Sequence, residues 1–409
     1  MTTHSPSRKD RGAGTILLLA SLAMVATLPG RTVGLGLITE QLLVDLEMTR
    51  SSYAELNLWA TFLGALFLFG TGPALDRSLR WTTTAVLAAF SGAVFWLAHL
   101  PGPGLLLTVL ILTRGLGQSS LSLSAVAIVG KSFKKKLRPA MGVFAVATSL
   151  LFVAAIPSVD SLLGQLGWRK VWMILAAVVL GISLLVAFLI RDPQAQKSRG
   201  EDDETTTGMP FREALRSTFF WVLTIGIGIY YFAFTGITLF SESLVVSLDF
   251  SRDIRNWFLA IMMFSGLASN LCCGWLVQRV SVPNIFGGAM IIFAACLIGF
   301  PVASGSIGLI YAVAVALGVG SGAVTVIFFA GFADLFGKRH LGKIQGVAQA
   351  MTVASSGTGP LFFARSFESS GSYSSVFFTL APLALLVGIW ALCHQRTDTF
   401  AAKRSNSTH

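Results

Sequence analysis

The chain has 409 residues, a formal net charge of +11, 54% hydrophobic and only 12% charged residues, and a mean hydropathy of +0.73. Soluble domains carry about a quarter charged residues, so a water-facing globular protein is excluded. Many apolar stretches instead reach the roughly 20 residues that cross a bilayer core as a helix.

The pattern predicts an all-α membrane protein with twelve transmembrane helices in two six-helix bundles. A tail over 1–13 precedes a first bundle, 14–190, with spans at 14–40, 53–74, 80–100, 104–130, 139–161 and 168–190. A polar linker, 191–217, leads to a second bundle, 218–396, with spans at 218–246, 254–278, 283–303, 306–335, 342–366 and 372–395. A second tail covers 397–409. Short Gly and Pro connections such as Pro101-Gly102-Pro103 suit tight helix joints, and helices satisfy every backbone group internally, as hydrocarbon requires. The basic start followed by Thr15–Leu28 resembles a secretory signal peptide, but losing it would spoil an even count, so it is read as part of the first span. In the linker, Glu201-Asp202-Asp203-Glu204 and the threonines after it read as a solvated, flexible tract.

The two bundles echo each other. Phe133, Lys135 and Lys136 match Phe336, Lys338 and Arg339 at an offset of 203, and Gly72…Asp76-Arg77 matches Gly274…Gln278-Arg279 at an offset of 202. Two similar halves in one orientation suggest a transporter with its site between them. Of the 30 Lys and Arg, 22 fall on the side of the termini, six opposite, and two, Arg31 and Arg114, within spans. The positive-inside rule then places both termini and the linker in the cytoplasm, with the chain in the plasma (inner) membrane. The net charge is mostly this bias and implies no nucleic-acid partner. Cys272, Cys273, Cys296 and Cys393 lie in apolar spans and show neither a disulfide framework nor metal-ligand spacing. His4, His99, His340, His394 and His409 are scattered, so no enzyme site is read, and no cofactor.

Gly72…Asp76-Arg77…Arg80 resembles the loop motif after the second helix of the major facilitator superfamily, and Arg114-Gly115-Leu116-Gly117-Gln118 its fourth-helix motif. More narrowly, Ser132-Phe133-Lys134-Lys135-Lys136-Leu137-Arg138-Pro139-Ala140-Met141-Gly142 is similar to the fifth-helix signature of the monocarboxylate transporter group, which includes oxalate:formate-type antiporters. Residues 333–342, from Ala333 to Gly342, resemble the junction of its tenth and eleventh helices. The resemblance implies two bundles rocking about a central site that takes a small organic anion, with helices one and four lining the cavity. It also implies gating ion pairs on the cytoplasmic face, for which Asp76, Arg77, Arg138, Arg279 and Asp334 are the matching positions, with Lys134–Lys136 and Lys338 nearby. Retention of topology by positive charge is the plainer role for the lysines. Two family features are missing. Helix eight, taken as Trp257–Leu276, lacks the carboxylate–arginine pair often found there, and Arg31 follows Pro29-Gly30 where many prokaryotic relatives have glutamine.

Arg31 is the sharpest single position. Thr15 to Leu28 is 14 residues, roughly 21 Å of helix, too short for a core of about 30 Å. The span must therefore continue beyond Pro29-Gly30 and carry Arg31 inside it, at a cost of at least about 2.5 kcal/mol unless it meets water or a partner. It is a substrate ligand, a structural ion pair or a loop residue. Arg114 sits at similar depth, and as a pair the two would repel unless an anion lay between them; their planar forks suit a carboxylate. For Arg114, holding helices together is an equal alternative. Gln118, Asn57, Tyr231 and Gln349 complete the candidate substrate-binding set, each alternatively an interhelical hydrogen bond. Glu242, near the outer end of span seven, is the coupling candidate: it carries a proton, pairs with an arginine or faces external water.

The reading is a monomeric secondary transporter of a small organic anion, plausibly a monocarboxylate, by alternating access, with a proton as candidate symported ion. Competing readings are proton-coupled efflux of amphipathic or cationic compounds, and a non-transporting receptor of the same fold.

Overall fold

In a computed structural model, the backbone is described for residues 8–133, 137–190, 209–337 and 340–406; the side chains of 8–12, 76, 137–139, 341–342 and 394–406 lie outside the description. The chain divides into two compact units, Met1–Arg199 and Gly200–His409.

In the first unit, α1 (Arg8–Val25), a 3₁₀ turn (Leu28–Gly30) and α2 (Thr32–Asp45) make the first span. The second is α3 (Arg50–Ala65) and α4 (Phe67–Arg77), and the third is α5 (Leu79–Ala98). The fourth combines α6 (Leu106–Leu112), a π-helical stretch (Thr113–Leu121) and α7 (Ser122–Ser132); α8 (Leu137–Leu166) and α9 (Trp168–Leu189) complete the unit. Helix starts follow local chemistry: the Thr49 and Ser78 hydroxyls accept from the backbone N–H groups of Ser52 and Trp81, satisfying donors that the first turn leaves open.

The second unit opens with a short helix, α10 (Phe211–Arg216), then α11 (Thr218–Leu239) and the one-and-a-half-turn α12 (Ser241–Val246). There follow α13 (Arg252–Leu276), α14 (Val282–Gly299), α15 (Ile307–Val326), a π stretch (Ile327–Gly331), α16 (Phe332–Phe336), α17 (Leu341–Ser370) and α18 (Ser374–Asn406). Gly371 ends α17 in the left-handed region (φ +68°), which costs an L side chain energy and glycine almost nothing.

The two units repeat one packing plan. In the first, α1 packs on α8, α3 on α6, and α5 on α9; in the second, α11 packs on α17, α13 on α15, and α14 on α18. First pairs with fifth, second with fourth and third with sixth in each.

Among the described residues, eleven helical stretches are long and apolar enough to cross a membrane. The expected span at 342–366 is helical within α17 but is not one of them; Gln345, Gln349, Thr352, Ser355, Ser356 and Thr358 dilute its apolar content. Expected span 14–40 is broken rather than continuous, and expected span 218–246 stops at Leu239 before restarting as α12. Of the expected tails and linker, residues 1–7, 191–208 and 407–409 lie outside the described residues, while α18 continues as helix through the expected second tail to Asn406.

Candidate functional site

The break in the first span organises the interior of the first unit. Pro29 has no N–H to continue a helix, and Arg31 is extended (φ −88°, ψ 154°) between the 3₁₀ turn and α2. Two glycines permit the fold. A side chain at Gly30 would meet the Thr113 carbonyl, and one at Gly34 would run into the Leu28 carbonyl. The broken first span is thus pressed against the start of the π stretch, whose wider turn is of a kind found often at functional sites.

Arg31 lies beside this break, half-buried. Its Nε donates to Thr27 Oγ1 at 2.5 Å, and its Nη2 to Met24 Sδ and Ser122 Oγ, both at 3.0 Å. The guanidinium stands 5.4 Å from the Phe152 ring centroid, a cation–π distance. Arg114, one residue into the π stretch, is only 3% exposed. Its Nη1 donates to Thr32 Oγ1 (2.9 Å) and Gln118 Oε1 (2.8 Å), and its Nη2 to Asn57 Oδ1 (2.8 Å). Asn57 is fixed in turn by donating to the Tyr53 carbonyl at 2.9 Å. Arg114 Nε has no hydrogen-bond partner among the described residues.

These hydrogen-bond acceptors of both arginines are neutral. Thr32 is also the first residue of α2, the end where a helix dipole is positive. One region of the unit therefore gathers two guanidinium groups and a helix N-terminus. The named hydrogen-bond partners of the two arginines differ. Arg31 turns toward α7 and α8, whereas Arg114 turns toward α3. Of the candidate residues, Asn57, Arg114 and Gln118 are brought together, and Thr32, which sequence reasoning missed, joins them. Thr27, Ser122, Met24 and Phe152 around Arg31 were also missed, since hydroxyls and rings on apolar helices carry no signal of their own.

In the second unit, Tyr231 stands edge-on to Tyr230 (centroids 5.5 Å) and near Phe234 (6.3 Å), while Gln349 is exposed on α17. Tyr230 donates its hydroxyl to the Leu317 carbonyl at 3.0 Å, and Gln345 donates to the Phe328 carbonyl in the second π stretch at 2.6 Å. Glu242 is 7% exposed, so it does not face external water. Its Oε2 accepts from Arg255 Nη1 at 2.7 Å, and its Oε1 pairs with Arg252. Arg255 is 1% exposed and also donates to Asn256 Oδ1. The eighth helix starts at Arg252, five residues earlier than the stretch read as its ionisable-free core, and so carries charge at its head.

Of the gating positions, Arg77 is exposed in the last turn of α4, Asp334 is exposed, and Arg279 lies 4.2 Å from the Trp275 ring centroid. The side chains of Asp76 and Arg138, with Lys134–Lys136 and Lys338, lie outside the description. Among the described residues no group of three or more His, Cys, Asp or Glu side chains is placed to hold a metal ion.

A family model described as Major Facilitator Superfamily matches residues 19–280 and 225–408. The fold is similar to that of the nucleoside transporter NupG (14% identity over 93% of this chain and 98% of that one, TM-score 0.75). A mutant of the same transporter gives 13% identity, 93% and 99% coverage and a TM-score of 0.74. A bacterial homolog of the human lysosomal transporter Spinster, inward-facing and unoccupied, matches at 14% identity over 98% of each chain, with a TM-score of 0.66. At such identities the likeness is one of fold. No curated protein sequence matches.

Proposed function

The chain belongs to the major facilitator superfamily, and on that premise we propose that it is a secondary active transporter of a small organic anion of the monocarboxylate type, working by alternating access. In this reading twelve spans cross the inner membrane of a monomer, with both termini in the cytoplasm. The observation that carries it is Arg114, a fully buried cation whose acceptors, Thr32, Asn57 and Gln118, are all neutral. Charge of one sign held in an apolar interior is costly, and a visiting anion lowers that cost. Half-buried Arg31 is the group that meets the cargo, with Thr27 and Ser122 beside it. Arg114 supplies field and holds the head of α2 in place. Tyr231 and Gln349 are proposed as further substrate ligands.

A proton is the candidate coupling ion. Glu242 would release its arginines on protonation, so its part in coupling would be to open the ends of α12 and α13. Asp76, Arg77 and Arg138, with Arg279 and Asp334, are proposed to bias the closing of the cytoplasmic face. Asp76→Asn should shift spin-label distance distributions across that face, and unchanged distributions would remove the gate. For the cargo, uptake of labelled monocarboxylates into proteoliposomes should vanish in both Arg31→Gln and Arg114→Gln, with folded protein still in the membrane. Wild-type uptake by both variants would refute the anion site. Labelled nucleosides belong in the same assay, and uptake of these alone would replace the carboxylate reading.

A further inference from the structure

A groove on the first unit is independent of the transport reading. The second span bends at Leu66, between α3 and α4, and Pro73 interrupts the ladder further along. Between α4 and the start of α5 lies a cleft of about 650 Å³ lined by Leu66, Phe67, Gly70, Ala74, Trp81 and Val86, among others. Its polar members are satisfied internally: Thr71 shares a hydrogen bond with Ser120 (2.7 Å) and Thr82 donates to the Ala74 carbonyl (2.9 Å). The walls therefore offer hydrocarbon. At the end where α4 turns into α5, the surface changes character. Arg77 is exposed, and Arg80 lies over the ring of Trp81 (4.7 Å), which is itself 59% exposed. Tryptophan beside arginine at a span end marks the level of lipid headgroups, and basic residues there attract anionic lipid.

We propose that this groove binds an anionic phospholipid, one acyl chain lying between α4 and α5 and the headgroup phosphate meeting Arg77 and Arg80. Charge complementarity at one end and an apolar groove leading from it select this occupant. Neutral lipid would fill the channel without the preference.

The test uses the full-length protein in neutral detergent, offered equal amounts of phosphatidylglycerol and phosphatidylcholine, with retained lipid counted by native mass spectrometry. The wild type should favour phosphatidylglycerol by roughly fivefold per arginine, and the Arg77→Gln/Arg80→Gln variant should fall to parity. Gly70→Leu fills the groove at a point where a Cβ meets nothing within 4 Å, so it should fold normally yet lose both lipids. Equal retention of the two lipids by the wild type, an unchanged preference in the double variant, or full retention by Gly70→Leu would overturn the proposal. So would stabilisation of the wild type by inorganic phosphate alone to the extent given by phosphatidylglycerol.

Discussion

Arg114 in the first unit and Arg255 in the second are equally buried, at 3% and 1% exposure, yet they are neutralised in opposite ways. Arg255 sits against a carboxylate, Glu242, with half-exposed Arg252 on its other oxygen. Among the described residues, Arg114 donates to a hydroxyl and two amide oxygens. The contrast teaches that burial alone does not decide how a charge is compensated. A paired charge at the head of α13 fastens α12 to its neighbour. Among the described residues, the one behind the helix break meets neutral acceptors instead.

That contrast can be broken by substitution, with thermal unfolding of purified protein as the readout. The largest effect is expected for Glu242→Gln, which strands Arg255 in the interior; losing one partner of a buried pair costs about 3–5 kcal/mol. Replacing both, as Glu242→Gln with Arg255→Met, should recover most of that loss. Next comes Gly34→Ala, whose new methyl meets the Leu28 carbonyl; overpacking of this kind costs about 1–3 kcal/mol, and the damage should fall on the break that presents Arg31. Arg114→Met removes a desolvated charge while leaving three acceptors unsatisfied, two opposed terms. Its stability should stay within about 2 kcal/mol of the wild type even as uptake disappears, the reverse of the Glu242 outcome. The smallest effect belongs to Arg252→Gln, which removes a half-exposed partner worth under about 1 kcal/mol. A melting loss for Arg252→Gln as large as for Glu242→Gln would show that burial is not what separates the two arginines.

The spans were legible because bilayer thickness sets their length, and Pro29-Gly30 announced the interruption beside Arg31. Span 342–366 was legible as a helix, though its polar small residues keep it below the apolarity of the others. Charge partners were harder to read. Glu242 and Arg255 are 13 positions apart across a helix junction, and nothing in spacing alone shows that they meet. Likewise, matching depth suggested a shared site for Arg31 and Arg114, but depth says nothing about which side chains each guanidinium meets. The π stretch fixes which way Arg114 points, and propensity carries no trace of it.

At the centre stands the proposal that Arg31 and Arg114 in the first unit receive an anion. Thermal-shift titration of the wild type, Arg31→Gln and Arg114→Gln against carboxylates, phosphates, amines and nucleosides tests it most directly. A ligand at about 100 times its Kd adds roughly 2.7 kcal/mol to stability. The expected result is stabilisation of the wild type by at least one carboxylate and of neither variant. Stabilisation by amines alone, or by carboxylates to the same extent in all three proteins, would contradict the claim.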